Sequence, residues 1–124
     1  MKNKIVLIEY TKCSTCQKAK KFLEESNIEF IDRNIVTDTP TYEELKEWIE
    51  KSGLPVNKFF NTAGLLYRNM NLKEELKSCS DDEKIKILAS NGMIIKRPIL
   101  ITKNGILLGF KKEEWESTKN TKKM

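Results

Sequence analysis

The chain has 124 residues, which is enough for one compact domain but not for two independent ones. Its three cysteines are an odd number and cannot form a disulfide scaffold, so we expect a reduced, cytoplasmic protein. Histidine is absent, which excludes Cys–His nucleophile pairs and Cys/His zinc sites.

The formal net charge of +5 does not by itself predict a nucleic-acid site. Three lysines lie in a polar stretch at residues 119–124, and the other lysines alternate with glutamates, as on solvated helix faces. Attraction of a small oxyanion explains the charge equally well. The first apolar run, residues 5–8, is shorter than the roughly 7–15 residues of a secretion signal. No stretch approaches the ~18 apolar residues of a membrane span. We therefore expect neither a membrane nor a nucleic acid as a direct partner.

The first part of the chain predicts a strand, a helix and a second strand. Residues 4–10 are mostly apolar and predict a buried strand, and residues 28–35 predict another. Between them, residues 14–26 have helical spacing, with an inward stripe of Cys16, Ala19, Phe22 and Leu23. A strand–helix–strand unit implies that the two strands pair in parallel.

The middle of the chain, about residues 38–92, predicts a helical insertion. Thr41 and Glu44 have capping-box spacing and open a helix that we expect to end near Gly53. Ser80 and Glu83 repeat that spacing before a second helix. Between these helices, glycine and proline break the chain into short helical pieces.

The last part predicts a β-hairpin and a short helix. Apolar residues 99–101 and 106–110 flank a turn at residues 103–105 that contains Asn-Gly, and residues 112–118 predict the helix. The order βαβ, helices, ββα predicts an α/β thioredoxin-like fold with a four-stranded mixed sheet and a helical insertion between its halves. We expect a single domain over residues 1–118 and a polar tail over residues 119–124.

Two cysteines mark the predicted start of the first helix. Cys13 would lie at the helix N-terminus, where unpaired amides and the helix dipole stabilise a thiolate, and Cys16 would lie on the buried stripe. Lys12 and Lys18 would further favour the thiolate. An exposed nucleophile beside a buried resolving thiol is the arrangement that thiol–disulfide chemistry requires.

Two other interpretations of the cysteine pair remain. A zinc site would need two more ligands, and Cys79 is the one further cysteine, so we expect no metal. The pair could also be structural. Cys79 itself fits a tolerated loop cysteine better than a reactive one, because Cys16 already supplies a resolving thiol.

Arg97 and Pro98 form the second candidate feature. The sequence alone fits a surface arginine before a strand, but in a thioredoxin-like fold this loop faces the cysteines, usually with a cis proline. Arg97 would then present a planar set of donors to an oxyanion. The predicted anion-binding residues are Lys12, Ser14, Thr15, Arg97 and Pro98.

These residues give the chain a resemblance to the arsenate reductase (ArsC)/Spx family. The resemblance rests on the CxxC with the Gln17–Lys21 segment, on Phe59–Thr62 with Tyr67-Arg68, on Ile95–Pro98 and on Leu108–Lys111. It implies Cys13 as the redox-active thiol and Arg97 beside a cis proline. It also implies no bound cofactor, with glutathione and glutaredoxin, or thioredoxin, as electron donor.

The chain departs from the arsenate reductases in two ways. They carry further arginines, where this chain has Asn61 and the Phe110-Lys111 region, and they typically use a single cysteine. CxxC is typical of Spx regulators, in which the disulfide is a switch and the RNA polymerase α C-terminal domain binds near the position of Gly53. We therefore expect an ArsC-like oxidoreductase using Cys13 and Cys16 on a small oxyanion or disulfide. The alternative is an Spx-like redox-sensing regulator.

Overall fold

The computed structural model describes residues 5–116 of the chain. They form two compact units. Residues up to Asn34 together with those from Arg97 onward make the first, here called the sheet unit, and Ile35–Lys96 make the second, the helical unit. The predicted insertion, residues 38–92, falls inside the helical unit, and the predicted tail lies outside the described residues. No helix in residues 5–116 is long and apolar enough to cross a bilayer.

The sheet unit contains a four-stranded mixed sheet in the order β2-β1-β3-β4. β1 pairs in parallel with β2 and antiparallel with β3, which pairs antiparallel with β4. The strands are β1 (Val6–Glu9), β2 (Ile31–Asn34), β3 (Ile99–Thr102) and β4 (Gly105–Leu108). The predicted thioredoxin-like topology is confirmed, including the parallel pairing across the first helix.

β2 is shorter than the sequence pattern predicted. The amide of Ile28 donates to the carbonyl of Leu23 and closes the turn after the first helix, so it is not available to a strand ladder. Pairing with β1 begins where the amide of Ile31 donates to the carbonyl of Ile5, at 2.8 Å. The apolar pattern therefore marked Ile28 and Ile35 correctly as buried, but Ile31 is exposed and the strand is shorter than predicted.

The predicted hairpin forms with a turn that is one residue shorter than predicted. Thr102 lies opposite Gly105, so the loop consists of Lys103 and Asn104, and Gly105 begins β4 with a φ of 146°. That φ is accessible to glycine and is strained for other residues. The placement of Gly105 inside the turn was wrong.

The sheet unit also contains two helices: α1 (Ser14–Glu25), between β1 and β2 in the chain, and α6 (Lys112–Trp115), after β4. Trp115 is fully buried, and its indole Nε1 donates to the carbonyl of Gly109 at 3.1 Å, which satisfies the polar end of a large apolar side chain. The core of the sheet unit consists of Ile5, Leu7, Ala19, Leu23, Ile28, Leu100 and Trp115. It therefore joins β1 and α1, the two elements on either side of Cys13.

The helical unit is organised by two capped helices, and its α-helices are α2 (Tyr42–Ser52), α3 (Leu65–Asn69), α4 (Leu72–Glu75) and α5 (Asp81–Ser90). Both predicted capping boxes form, with Thr41 and Glu44 on α2 and Ser80 and Glu83 on α5. α2 packs against α5, and α2 ends at Gly53 in the left-handed conformation, with φ 70°. Short 3-10 turns at Val56–Phe59, Leu76–Ser78 and Gly92–Ile94 complete the unit.

Candidate functional site

Cys13 is the N-cap residue of α1. Its backbone is extended (φ −94°, ψ 121°), its amide donates to the carbonyl of Tyr10 at 3.0 Å, and its carbonyl accepts the amide of Gln17. The turn that begins at Tyr10 therefore connects the end of β1 directly to the start of the helix. Cys13 is half-buried.

Cys16 lies in the first turn of α1 and is fully buried. It occupies the predicted inward stripe with Ala19 and Leu23, both also buried. The amide of Tyr10 donates to the Cys16 sulfur at 3.5 Å. The first residue after β1 thus holds the buried thiol in place.

The two thiols have pKa values displaced in opposite directions. Burial alone would raise the pKa of Cys13, but hydrogen bonds from the amide and the thiol of Cys16 hold it below its ordinary value of 9.0. The charge of Arg97 and the amide of Thr15 lower it further. Burial raises the pKa of Cys16 to about 12, helped by Cys13. The surroundings of Cys13 thus favour its thiolate, whereas burial favours the neutral thiol of Cys16.

Arg97 brings the positive charge to this site. Its guanidinium carbon lies 5.4 Å from the ring centroid of Tyr10, the distance of a cation–π contact. The Arg97–Pro98 peptide bond is cis, and the carbonyl of Pro98 accepts the amide of Gly109 at 2.8 Å. The charge of Arg97 lowers the pKa of both cysteines. The structure therefore brings Cys13, Cys16 and Arg97 together, as the topology predicted.

Comparison with known proteins agrees with this geometry. The model of the ArsC family matches residues 9–118, which include both cysteines and Arg97. The chain belongs to the ArsC family.

Several relatives in this family are similar along nearly their whole length. YusI of Bacillus subtilis, an uncharacterised protein, is 50% identical over 107 residues, covering 86% of this chain and 91% of YusI. The global transcriptional regulator Spx 2 of Bacillus anthracis is 30% identical over 111 residues, covering 89% and 82% of the two chains.

Solved structures show the same ArsC fold. An ArsC-family-related protein of Bacteroides fragilis is 53% identical, with a TM-score of 0.89 over 92% of this chain and 96% of its own. The arsenate reductase of Vibrio cholerae is 25% identical, with a TM-score of 0.83 over 93% and 97%. The family thus includes proteins named as reductases and proteins named as regulators.

Of the other predicted anion-binding residues, three are neighbours of Cys13 in the sequence, and Pro98 is buried. Lys12, Ser14 and Thr15 are exposed. The backbone amide of Thr15 donates a hydrogen bond to the Cys13 sulfur. Lys18 is exposed as well. The positive charge that acts on Cys13 is that of Arg97, which is contributed by the segment before β3 and not by the neighbouring lysines.

Of the other residues considered in the sequence, Cys79 and Asn61 lie in the helical unit, and Lys111 lies in the sheet unit. Cys79 lies in the helical unit, where its sulfur donates to the carbonyl of Glu75 at 3.4 Å. Asn61 also belongs to the helical unit, and Lys111 is the exposed N-cap residue of α6. Among residues 5–116, no three carboxylate or thiol side chains cluster as a metal site would require.

Sequence reasoning missed Tyr10, which contacts Cys16 and Arg97, and the buried Glu9 that precedes it. Tyr10 contacts Cys16 through its amide and Arg97 through its ring. Glu9 is the last residue of β1 and is only 3% exposed. A signal for Glu9 was present: an acidic residue ends an otherwise apolar strand just before the CxxC loop. Its burial became visible only in the structure.

Proposed function

We propose that this ArsC-family protein is a thiol–disulfide oxidoreductase in which Cys13 is the nucleophile and Cys16 the resolving thiol. The observation that carries the proposal is the asymmetry of the pair. Cys13 is half-buried at a helix N-terminus with a lowered pKa, whereas Cys16 is fully buried with a raised one. This asymmetry supports one attacking order, because only Cys13 offers an accessible thiolate.

The reaction proceeds in two displacements. The Cys13 thiolate attacks one sulfur of a substrate disulfide, forming a mixed disulfide and releasing the other sulfur as a thiol. The Cys16 thiolate then attacks the Cys13 sulfur, forming the Cys13–Cys16 disulfide and releasing the second substrate thiol. A reduced thioredoxin, or glutathione with glutaredoxin, returns the pair to two thiols. No bound cofactor is needed, and the proposed setting is the reducing cytoplasm.

Arg97 is proposed to stabilise negative charge at the Cys13 sulfur and on an incoming oxyanion. Its planar guanidinium can form two parallel hydrogen bonds to such a group, whereas a lysine ammonium is a point charge. Lys12, Ser14, Thr15 and Pro98 complete the proposed binding region. Since Asn61 and Lys111 stand where the arsenate reductases carry arginines, we expect disulfides to be better substrates than arsenate.

A coupled assay tests this proposal. Oxidation of NADPH is followed with thioredoxin or glutaredoxin as donor and with either glutathione disulfide or arsenate as oxidant. Cys13→Ser should abolish turnover. A charge-assisted hydrogen bond contributes roughly 1.5–3 kcal/mol, so Arg97→Ala should reduce kcat/KM about tenfold to a hundredfold. Arg97→Lys should restore only part of the activity.

Arg68→Ala is the matched control, because it removes an exposed arginine of the helical unit. It should leave turnover unchanged. Wild-type turnover that persists in Cys13→Ser, or equal losses in Arg68→Ala and Arg97→Ala, would contradict the proposed roles.

The second candidate function is redox-sensing regulation through the RNA polymerase α C-terminal domain. The similarity to Spx 2 over 89% of this chain favours it. A pull-down with that domain, using the reduced and the disulfide forms, separates the two functions. Binding that depends on the Cys13–Cys16 disulfide, together with no turnover of any oxidant, would favour the regulator over the enzyme.

A further inference from the structure

Tyr10 is the residue after β1, and its backbone and its side chain both contact the cysteine site. Its amide donates to the Cys16 sulfur at 3.5 Å, and its carbonyl accepts the amide of Cys13 at 3.0 Å. Its ring centroid lies 5.4 Å from the guanidinium carbon of Arg97. Tyr10 therefore links the end of β1 to both cysteines and to the segment that precedes β3.

The backbone contacts and the ring contact of Tyr10 can be separated by substitution. Every residue other than proline has a backbone amide and a carbonyl, so a change of side chain leaves both backbone contacts able to form. An aromatic ring, in contrast, is specific to the side chain at this position. What the Tyr10 side chain adds to the site is therefore its contact with Arg97.

The ring contact restricts the orientation of Arg97. Arginine has a long, flexible side chain, which loses conformational entropy when it is held in one orientation. The negative face of an aromatic ring attracts a guanidinium and offsets this loss, more so where both groups are partly withdrawn from water. Tyr10 and Arg97 are both half-buried. The ring thus favours the orientation in which the guanidinium lies beside it.

In this orientation the charge of Arg97 acts on the two thiols and lowers the pKa of Cys13. The interaction between two charges weakens as they separate and as water comes between them. Without the ring, Arg97 would sample more solvated orientations, in which its charge is better screened. The effect of Arg97 on Cys13 then depends on the residue at position 10.

We propose that Tyr10 is a positioning residue, whose ring holds the Arg97 guanidinium where its charge stabilises the Cys13 thiolate and an incoming oxyanion. This inference rests on the proposed oxidoreductase function, in which Cys13 is the nucleophile. Tyr10 takes no proton and forms no bond to the substrate. Because it acts only through Arg97, loss of its ring costs less than loss of Arg97 itself.

Other ionisable groups lie on the elements that carry this site and on β2, which pairs with β1. They are Lys12, Cys16, Lys18 and Lys20 from α1 and the segment before it, Glu9 from β1 and Asp32 from β2. Glu9 shares a hydrogen bond with Asp32, which forms an ion pair with Lys20 at 2.7 Å. β3 contributes no ionisable side chain. All of these groups are unchanged in the variants compared below, so differences between variants report on the ring and the guanidinium.

The pH dependence of Cys13 alkylation tests the proposal. In full-length protein carrying Cys79→Ser, labelling of Cys13 by iodoacetamide is followed by peptide mass, because the thiolate is the reactive form. The rate should rise with pH to a plateau, with a midpoint below the ordinary cysteine pKa of 9.0. Arg97→Ala should move this midpoint to higher pH, and Tyr10→Leu should move it in the same direction by part of that amount. Below the midpoint, Tyr10→Leu should label about twofold to tenfold more slowly than the parent.

A series of ring substitutions distinguishes attraction to the ring from simple packing. Tyr10→Phe should keep the midpoint of the parent, because phenylalanine has the same negative ring face. Fluorinated phenylalanines incorporated at this position weaken that face in steps with little change in shape, and the midpoint should rise with each added fluorine. Equal midpoints across the series would overturn the proposal, and this test holds even if Tyr10→Leu folds poorly.

A double-mutant comparison shows whether Tyr10 acts through Arg97. In protein that already carries Arg97→Ala, Tyr10→Leu should move the midpoint no further. A shift as large as the one seen with Arg97 present would mean that Tyr10 acts on Cys13 by another route, which contradicts the proposal. Tyr42→Leu is the matched control, since it removes a half-buried tyrosine of the helical unit, and it should leave the midpoint in place.

The coupled assay separates this inference from the proposed function. Tyr10→Leu should reduce kcat/KM by less than Arg97→Ala does, and Tyr10→Phe should retain it. If the parent turns over no oxidant while the fluorinated series shifts the midpoint, the proposed function falls and the positioning of Arg97 stands. If the parent turns over a disulfide while the fluorinated series leaves the midpoint fixed, only the role of Tyr10 is overturned.

Discussion

Replacing Glu9 by glutamine should stabilise the protein at neutral pH, although the substitution removes a buried hydrogen-bonding carboxyl. The ordinary pKa of this group is 4.5, and burial raises it to about 7 in the folded protein. Between these values the unfolded chain releases a proton that the folded protein keeps. The free energy of unfolding therefore decreases as pH rises through this window and is level above it.

The size of this effect follows from the same two values. At 1.36 kcal/mol per pKa unit, the interval from 4.5 to about 7 amounts to about 3 kcal/mol. Glutamine does not ionise and avoids this loss. Asp32 acts in the opposite sense, since its lowered pKa contributes stability that is lost only as pH falls below its ordinary value of 3.8. Its contribution lies outside the Glu9 window.

Urea unfolding across this pH range tests the reasoning. In a Trp48→Phe background, fluorescence of the buried Trp115 reports on the sheet unit alone. Glu9→Gln should match its parent within about 1 kcal/mol near pH 4.5 and exceed it by up to about 3 kcal/mol above pH 7. Glu29→Gln should show no such trend, because Glu29 is exposed. A difference between Glu9→Gln and its parent that is independent of pH would refute the argument.

Three further predictions concern the thiols and the packing. Brief iodoacetamide treatment at neutral pH should label Cys13 much faster than Cys16 or Cys79 in peptide maps, and preferential labelling of Cys16 would reverse their roles. Trp115→Phe should cost about 1–3 kcal/mol in urea unfolding, because the carbonyl of Gly109 loses its buried donor. Gly92→Ala should cost about 3 kcal/mol or more, since its Cβ would lie 2.1 Å from the backbone oxygen of Ile35. A loss no larger than that of Gly64→Ala, whose nearest clash is with the movable Asn61 side chain, would contradict the Gly92 prediction.

The helix starts and the buried stripe of α1 were predictable because they depend on neighbours in the sequence. A capping box needs only a hydroxyl and a glutamate three residues apart, and both boxes formed as predicted. The helical period likewise placed Cys16 beside Ala19 and Leu23 on the buried face. The family resemblance and the thioredoxin-like topology were also accessible at this level.

Strand limits and the hairpin register were less predictable because the partner strand decides them. Ile28 is apolar and buried, as a strand residue would be, yet its amide closes the turn after α1. Gly105 belongs to an Asn-Gly pair, yet the register of β3 against β4 places it in a strand. Local patterns do not contain the identity of the residue opposite.

The sequence by itself determined that Cys13 lies at the start of α1 and that Cys16 lies on the buried face of this helix. Tertiary structure decided the electrostatics around them. Arg97 is 84 positions after Cys13, and its charge acts on that thiol only because β3 pairs with β1. Glu9 is buried because α1 and β2 bring Lys20 and Asp32 to the end of β1. A pKa depends on burial and on charges nearby in space, and these come from segments that are distant in the chain.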